Sequence, residues 1–159
     1  AHLALNYFAQ AGIQRRVYLL DTYEGFNYKT AYTSSDQGPW KGTHQAWSSA
    51  EEAQSVLRQL LEPLATTSGS ELHLKKHNII EGDLPAEIGT VAAANVDVDL
   101  MDATSAALER LAPRMAIGGM IHCDDASSTP MLSGAMLALD RFLKSTYGRH
   151  FVKLMLGTE

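Results

Sequence analysis

Acidic residues stand where short apolar runs stop, and that placement is the first sign of chemistry in this chain. Asp21 closes the run RVYLLD at 16–21, Asp97 closes VAAANVD at 91–97, and Asp124 with Asp125 follows GMIHC at 119–123. Runs of this kind read as buried strands. If the last two are parallel neighbours joined by one crossover helix, Asp97, Asp124 and Asp125 crowd a single sheet edge, because adjacent strands lie about 4.8 Å apart. Carboxylates so close repel unless a cation sits among them or some stay protonated. A hard divalent ion with oxygen ligands, Mg²⁺ or a similar cation, resolves the repulsion. The plainer alternative is that Asp124 or Asp125 caps the helix that starts a few residues later. Asp21 also has two readings: an acceptor for ribose hydroxyls at an early strand end of a nucleotide-binding sheet, or an ordinary acid in a turn.

Two further patterns bear on chemistry. Asp97-Val98-Asp99 is a D-x-D, which occurs in metal-dependent glycosyltransferases and at the nucleophile of haloacid-dehalogenase-like phosphatases. The phosphatase reading needs a lysine before the final acid pair, and none lies between Asp97 and Asp124; the glycosyltransferase reading stays open. The histidines are scattered and show no H-x-x-E-H zinc spacing. His44 can act as a general base near neutral pH, although a surface histidine is the simpler account. His122, inside a strand, reads as a core histidine.

The elements that must position these residues follow from periodicity. Residues 2–11 read as a helix stopped by Gly12. Residues 22–47 have no helical period; they form a loop with six aromatics, Tyr23, Phe26, Tyr28, Tyr32, Trp40 and Trp47, and long loops inside compact domains are often functional. Ser48 or Ser49 caps a helix whose stripe is Val56, Leu57, Leu60, Leu61 and Leu64, and 66–70 is a polar turn. Residues 71–80 read as a strand, 84–90 as a short helical segment, and 102–111 as a helix closed by Ala112-Pro113. Pro130 opens a helix with the stripe Leu132, Ala135, Met136, Leu139, Phe142 and Leu143, and 150–156 reads as a last strand. Strands alternating with helices predict an α/β fold with an open, mostly parallel sheet covered on both faces. Ligands of such sheets bind outside the carboxyl ends of the strands, where Asp21, Asp97 and Asp124 lie.

The bulk properties restrict the function classes. The chain has 159 residues, room for one domain. Its net charge is −5 and its longest basic clusters are Arg15-Arg16 and Lys75-Lys76, which argues against a nucleic-acid partner. No apolar run approaches the roughly 20 residues of a membrane span, so no membrane partner is expected. Cys123 is the only cysteine, which excludes an internal disulfide and points to a reducing cytoplasm.

Three segments together resemble the macrocin O-methyltransferase family, which methylates hydroxyls on sugars of natural products. Val17–Phe26 (VYLLDTYEGF) is similar to the family's second strand and D-[ST]-[FY]-E-G motif. Asn95–Ala107 (NVDVDLMDATSAA) is similar to its D-x-D-x-Y-x-[AS]-T segment, with Met101 where Tyr is frequent. Leu108–Asp125 (LERLAPRMAIGGMIHCDD) is similar to its helix, turn and paired acids. The resemblance implies a Rossmann-like methyltransferase fold over residues 1–159 and methyl transfer from S-adenosylmethionine to a hydroxyl of a sugar-like small molecule, aided by a divalent metal. It assigns Asp21 to the cofactor ribose, Gly82 and Asp83 to the adenine region, and Asp97, Asp124 and Asp125 to Mg²⁺. The base is Asp97 itself or a loop residue such as His44. A non-catalytic remnant of the same fold is the reading from another functional class.

In the family pattern a first strand and a glycine-rich turn precede the helix at 2–11, and a last antiparallel strand follows 157–159. The expectation is a domain lacking its central first strand, with open strand edges that favour a homo-oligomer or pairing with further chain, and little activity without that segment.

Overall fold

The computed structural model describes residues 1–27, 47–124 and 133–154. His44 and Asp125 fall outside them, as do most of the aromatic loop and the start of the last helix. The described residues form two compact units, 1–27 with 47–78 and 79–124 with 133–154. Each contains one two-stranded parallel sheet. Helices and parallel strand pairs are present, as expected of an α/β chain, but the described strands form two separate pairs and not the single open sheet expected.

In the first unit, α1 (His2–Ala11) ends at Gly12, which takes φ 63° and donates its N–H to the Phe8 carbonyl, a left-handed cap that glycine adopts without steric cost. Strand β1 (Arg16–Asp21) follows. Helix α2 (Ala50–Ser68) starts at Ser49, whose hydroxyl accepts from the Glu52 N–H at 3.1 Å. Glu52 reaches back to the Ser48 N–H at 2.9 Å and to its hydroxyl. This reciprocal arrangement resembles a capping box. The helix extends beyond the expected turn at 66 because Thr67 and Ser68 bond back to the carbonyls of Pro63 and Ala65, and Gly69 at φ 67° ends it.

Strand β2 (Glu71–Lys76) runs parallel to β1 with Val17 beside Leu72 and Leu19 beside Leu74. Those four side chains join Leu5, Leu57, Leu61, Leu64 and Ala65 in one apolar core under α1 and α2. The alternate residues form the other face, where Tyr18 stacks on His73 with ring centroids 4.5 Å apart. The strand stops at Lys76 and not at Ile80 as expected, since β1 itself stops at Asp21 and offers no further partner.

In the second unit, β3 (Val91–Val96) pairs with β4 (Met115–Cys123), and α3 (Met101–Leu111) crosses between them. The strands ending at Asp97 and Asp124 are therefore neighbours, as the spacing predicts. Strand β4 begins earlier than its expected start at Gly119. Between Val91↔Met115 and Ala93↔Met120 the register shifts, and the extra residues bulge out. Gly118 takes φ 78°, and a Cβ on Gly119 would sit 2.9 Å from the Ala116 carbonyl oxygen and 3.0 Å from that of Ala92. Ile121 and Cys123 face Leu108, Phe142, Leu139 and Leu143 of α3 and α4 (Ser133–Leu143). Burial pushes the Cys123 thiol pKa up, against a smaller lowering by Lys153.

The helical segment expected at 84–90 does not form, and the described part of the strand expected at 150–156 is not strand. Residues 84–90 are irregular turns. The Arg114 guanidinium donates to the carbonyls of Leu84, Pro85 and Ile88, so this backbone is satisfied by a side chain and not by a helical ladder. Residues 151–154 make no strand, since no described strand pairs with them, and Val152 and Leu154 are 85% and 73% exposed. No helix among the described residues is long and apolar enough to cross a membrane.

Two leucines on α1 test this account of the first core. Leu5 is fully buried and Leu3 is 83% exposed. Leu5→Ala is expected to cost about 2–5 kcal/mol, and Leu3→Ala no more than about 0.5 kcal/mol. Urea unfolding of both variants checks the contrast.

Candidate functional site

The strand ends hold the predicted acids. In the second unit the Asp124 N–H donates to the Val96 carbonyl at 3.1 Å, the bond that closes the last β3–β4 pair, Val96↔Cys123. Asp97 and Asp124 are thus the residues that directly follow the last pair of the two neighbouring strands, at the carboxyl end of the sheet. Both are exposed. Asp99 takes φ 57°, a left-handed conformation that short polar side chains tolerate, and it leads the chain from β3 into α3.

Strand alternation sends Ala94, Val96, Ile121 and Cys123 toward the helices, so residues 93, 95, 120 and 122 belong to the opposite face. Ala93, Asn95, Met120 and His122 are exposed there. His122 is thus not the core histidine expected of it. Its Nδ1 lies 2.6 Å from Oδ1 of Asn95, its partner in register. The pair stands two residues before Asp97 and Asp124. The signal for it was present in the sequence: apolar residues at 94, 96, 121 and 123 dictate a different face for 95 and 122.

Asp21 ends β1 in the first unit. Its carbonyl accepts from the His77 N–H at 2.8 Å, and its Oδ1 accepts from the Tyr23 N–H at 2.6 Å. Thr22 Oγ1 accepts from the Glu24 N–H at 3.3 Å. The DTYEG segment is therefore a chain reversal stabilised by its own side chains, in which one carboxylate oxygen of Asp21 is engaged by the turn while the residue remains exposed. Glu24 pairs with Lys76 at 2.6 Å beside it, which raises the Lys76 pKa.

Tyr23, counted in the sequence only as one loop aromatic, sits at φ 58° and is 7% exposed among Trp47, Ala50, Ala53 and Leu57. Its hydroxyl has no hydrogen-bond partner among the described residues. Burial raises its pKa, with the Asp21 charge adding to the rise and Arg58 opposing it.

Asp83 is elsewhere in the second unit. It pairs with Arg110 at 3.2 Å, and Arg110 also donates to the Ile80 carbonyl at 3.2 Å. With Leu84, Ala106, Glu109, Arg110, Pro113 and Arg114, Asp83 lines an open cleft of about 380 Å³. Arg114 immediately precedes β4 and Asp124 follows it, so this cleft lies toward the amino end of the strands. The structure does not bring Asp83 together with Asp97 and Asp124. Gly82 belongs to the same turn.

His73 and His77 are four residues apart, a spacing that makes a ligand pair on a helix; here His73 lies within β2 and His77 just past its end. No group of three or more His, Cys, Asp or Glu among the described residues could hold a metal ion.

The chain matches the family model for macrocin-O-methyltransferase (TylF) over residues 3–147. No curated protein and no solved structure matches it. With most of its length matched, the chain belongs to the macrocin O-methyltransferase family, a family of methyltransferases.

Tyr23 supplies the test of this region. A buried hydroxyl without a partner contributes little, so Tyr23→Phe is expected to change stability at neutral pH by less than about 1 kcal/mol, whereas Tyr23→Ala costs about 3–5 kcal/mol. The phenol loses its proton near pH 10 in the unfolded chain and at higher pH when folded. Above about pH 10 the unfolded state therefore binds fewer protons, and stability falls as pH rises. Tyr23→Phe should flatten that alkaline decline in urea melts; an unchanged slope would count against the assignment.

Proposed function

Proceeding from that family membership, we propose that this domain transfers a methyl group from S-adenosylmethionine to a hydroxyl of a small, sugar-like substrate, with a divalent cation at Asp97 and Asp124. The observation that carries the reading is that Asp97 and Asp124 each follow the last residue pair of two neighbouring parallel strands, Val96↔Cys123, at the end where open α/β sheets bind ligands. The parallel strand pairs and the crossover helix α3 support a Rossmann-like methyltransferase architecture.

The donor set suits the ion. Mg²⁺ keeps several waters and is commonly held by one or two carboxylates, so two exposed aspartates suffice for a hydrated site. Asp125 is the proposed third ligand and lies outside the described residues. A divalent cation held by these carboxylates would lower the pKa of a hydroxyl bound to it. The cofactor supplies an electrophilic methyl on a sulfonium.

The chain's own residues do the rest. Asp97 would accept the proton of the attacking hydroxyl; His44, outside the described residues, is the other candidate base. Asp21 accepts from the cofactor ribose through its exposed carboxylate. Gly82 and Asp83 are proposed for the adenine region, which requires their turn to serve the cofactor from where the Arg110 contact holds it.

Asp124→Ala is expected to weaken Mg²⁺ or Mn²⁺ binding tenfold or more, roughly 1.4 kcal/mol, with the circular dichroism spectrum unchanged. Titration calorimetry reads the first effect, and equal affinity in the variant would remove the metal assignment. Thermal shift distinguishes the reaction class: stabilisation by S-adenosylhomocysteine is expected. Stabilisation by a uridine diphosphate sugar with Mn²⁺ in its place would support a glycosyltransferase, and a response to neither would support a non-catalytic remnant.

A further inference from the structure

At the carboxyl end of β1–β2, Glu24 of the DTYEG turn has no task in the methyl-transfer reading. Lys76 is the register partner of Asp21 at the last rung of that sheet. The two side chains therefore leave the same face of neighbouring strands, which lie about 4.8 Å apart. The ammonium nevertheless forms its ion pair with Glu24, at 2.6 Å. The charge of Glu51, in the first turn of α2, also acts on it.

The turn is built to present Glu24. Tyr23 and Gly25, on either side of it, take φ 58° and 54°, and left-handed backbone of this kind doubles a chain back on itself. The Glu24 N–H donates to Thr22 Oγ1 at 3.3 Å, and the Tyr23 ring anchors the turn in the core. Asp21 uses Oδ1 on the Tyr23 N–H. Among the described residues its other oxygen has no hydrogen-bond or ion-pair partner, although a lysine stands on the adjacent strand.

We propose that Glu24 is a positioning residue: it holds the Lys76 ammonium off Asp21 and so keeps the second carboxylate oxygen of Asp21 open to the hydroxyls of a bound ribose. The inference rests on the reading of Asp21 as the ribose acceptor and adds the residue that keeps this acceptor available. A hydrogen bond from an ammonium to a carboxylate is roughly twice as strong as one between neutral groups. A lysine seated on Asp21 would therefore compete with ribose for the same oxygen. Stability does not explain the arrangement. The Lys76 and Glu24 side chains are 52% and 41% exposed, and ion pairs in that setting contribute little to folding. Variants here are expected to fold.

Two measurements on the whole chain test the proposal. The first needs no ligand. With ¹⁵N-labelled lysine, Asp21→Asn should move the Lys76 ammonium resonance far more in a Glu24→Ala background than in the parent, because the released ammonium then pairs with Asp21. Equal movement in the two backgrounds overturns the proposal. The second is titration calorimetry with S-adenosylhomocysteine. Glu24→Ala is expected to weaken binding at least about tenfold, and adding Lys76→Met to it should restore nearly the parent affinity. If Glu24 served only to hold the turn, removing Lys76 would restore nothing, and that result overturns the proposal. Binding lost in Asp21→Asn but kept in Glu24→Ala would overturn this inference alone. An affinity indifferent to every variant, Asp21→Asn included, or a parent that does not bind, would overturn the ribose reading of Asp21 itself.

Discussion

One backbone hydrogen bond sets the geometry of the candidate site. The Asp124 N–H bonded to the Val96 carbonyl fixes the phase of two parallel strands at their carboxyl ends. Because side chains alternate along each strand, that phase decides every neighbour: Val96 with Cys123 toward the helices, Asn95 with His122 on the open face. The first unit uses the same device, where the His77 N–H meets the Asp21 carbonyl at the last rung of β1–β2. In both cases an acid occupies the position at which the ladder runs out and the side chain meets solvent.

Core and site impose different demands on these short strands. Leu72 and Leu74 in β2, and Ile121 and Cys123 in β4, supply the apolar contacts. The intervening positions are available for polar residues. The DTYEG turn divides its residues in the same manner: Tyr23 turns inward against α2, while Asp21 and Glu24 stay at the surface and bond within the turn or to Lys76. The cost of this compactness is a tyrosine in the left-handed region, tolerated because the surrounding contacts hold it.

Elements defined by local pattern were legible in the sequence. Gly12 stopped α1, Ser49 capped α2, and the run at 16–21 became β1. What was not legible depended on partners distant in sequence. Residues 77–80 have the composition of a strand, but β1 is too short to pair with them. Residues 84–90 could form a helical turn until Arg114, far along the chain, takes their carbonyls. At the site, the acids announced themselves by position, and the neighbouring relation of Asp97 and Asp124 followed from the single crossover helix. The face of His122 is not a property of the histidine but of its neighbours: Ile121 and Cys123 turn toward the helices and leave it exposed. Whether Asp83 joins the other acids was beyond any local pattern, since its place is set by Arg110.

The bulge in β4 has a consequence for how this sheet tolerates changes of length. Register within a parallel pair is all-or-none: deleting one residue between Met120 and Cys123 would turn His122 and Asp124 toward the helices and Ile121 and Cys123 toward water. The residues around Gly118 and Gly119, by contrast, are already out of phase with β3. A residue gained or lost there changes the size of the loop-out and leaves the downstream pairing intact. The two glycines thus separate a length-tolerant entry to the strand from a length-critical exit, and natural insertions in β4 should accumulate on the amino-terminal side of that boundary.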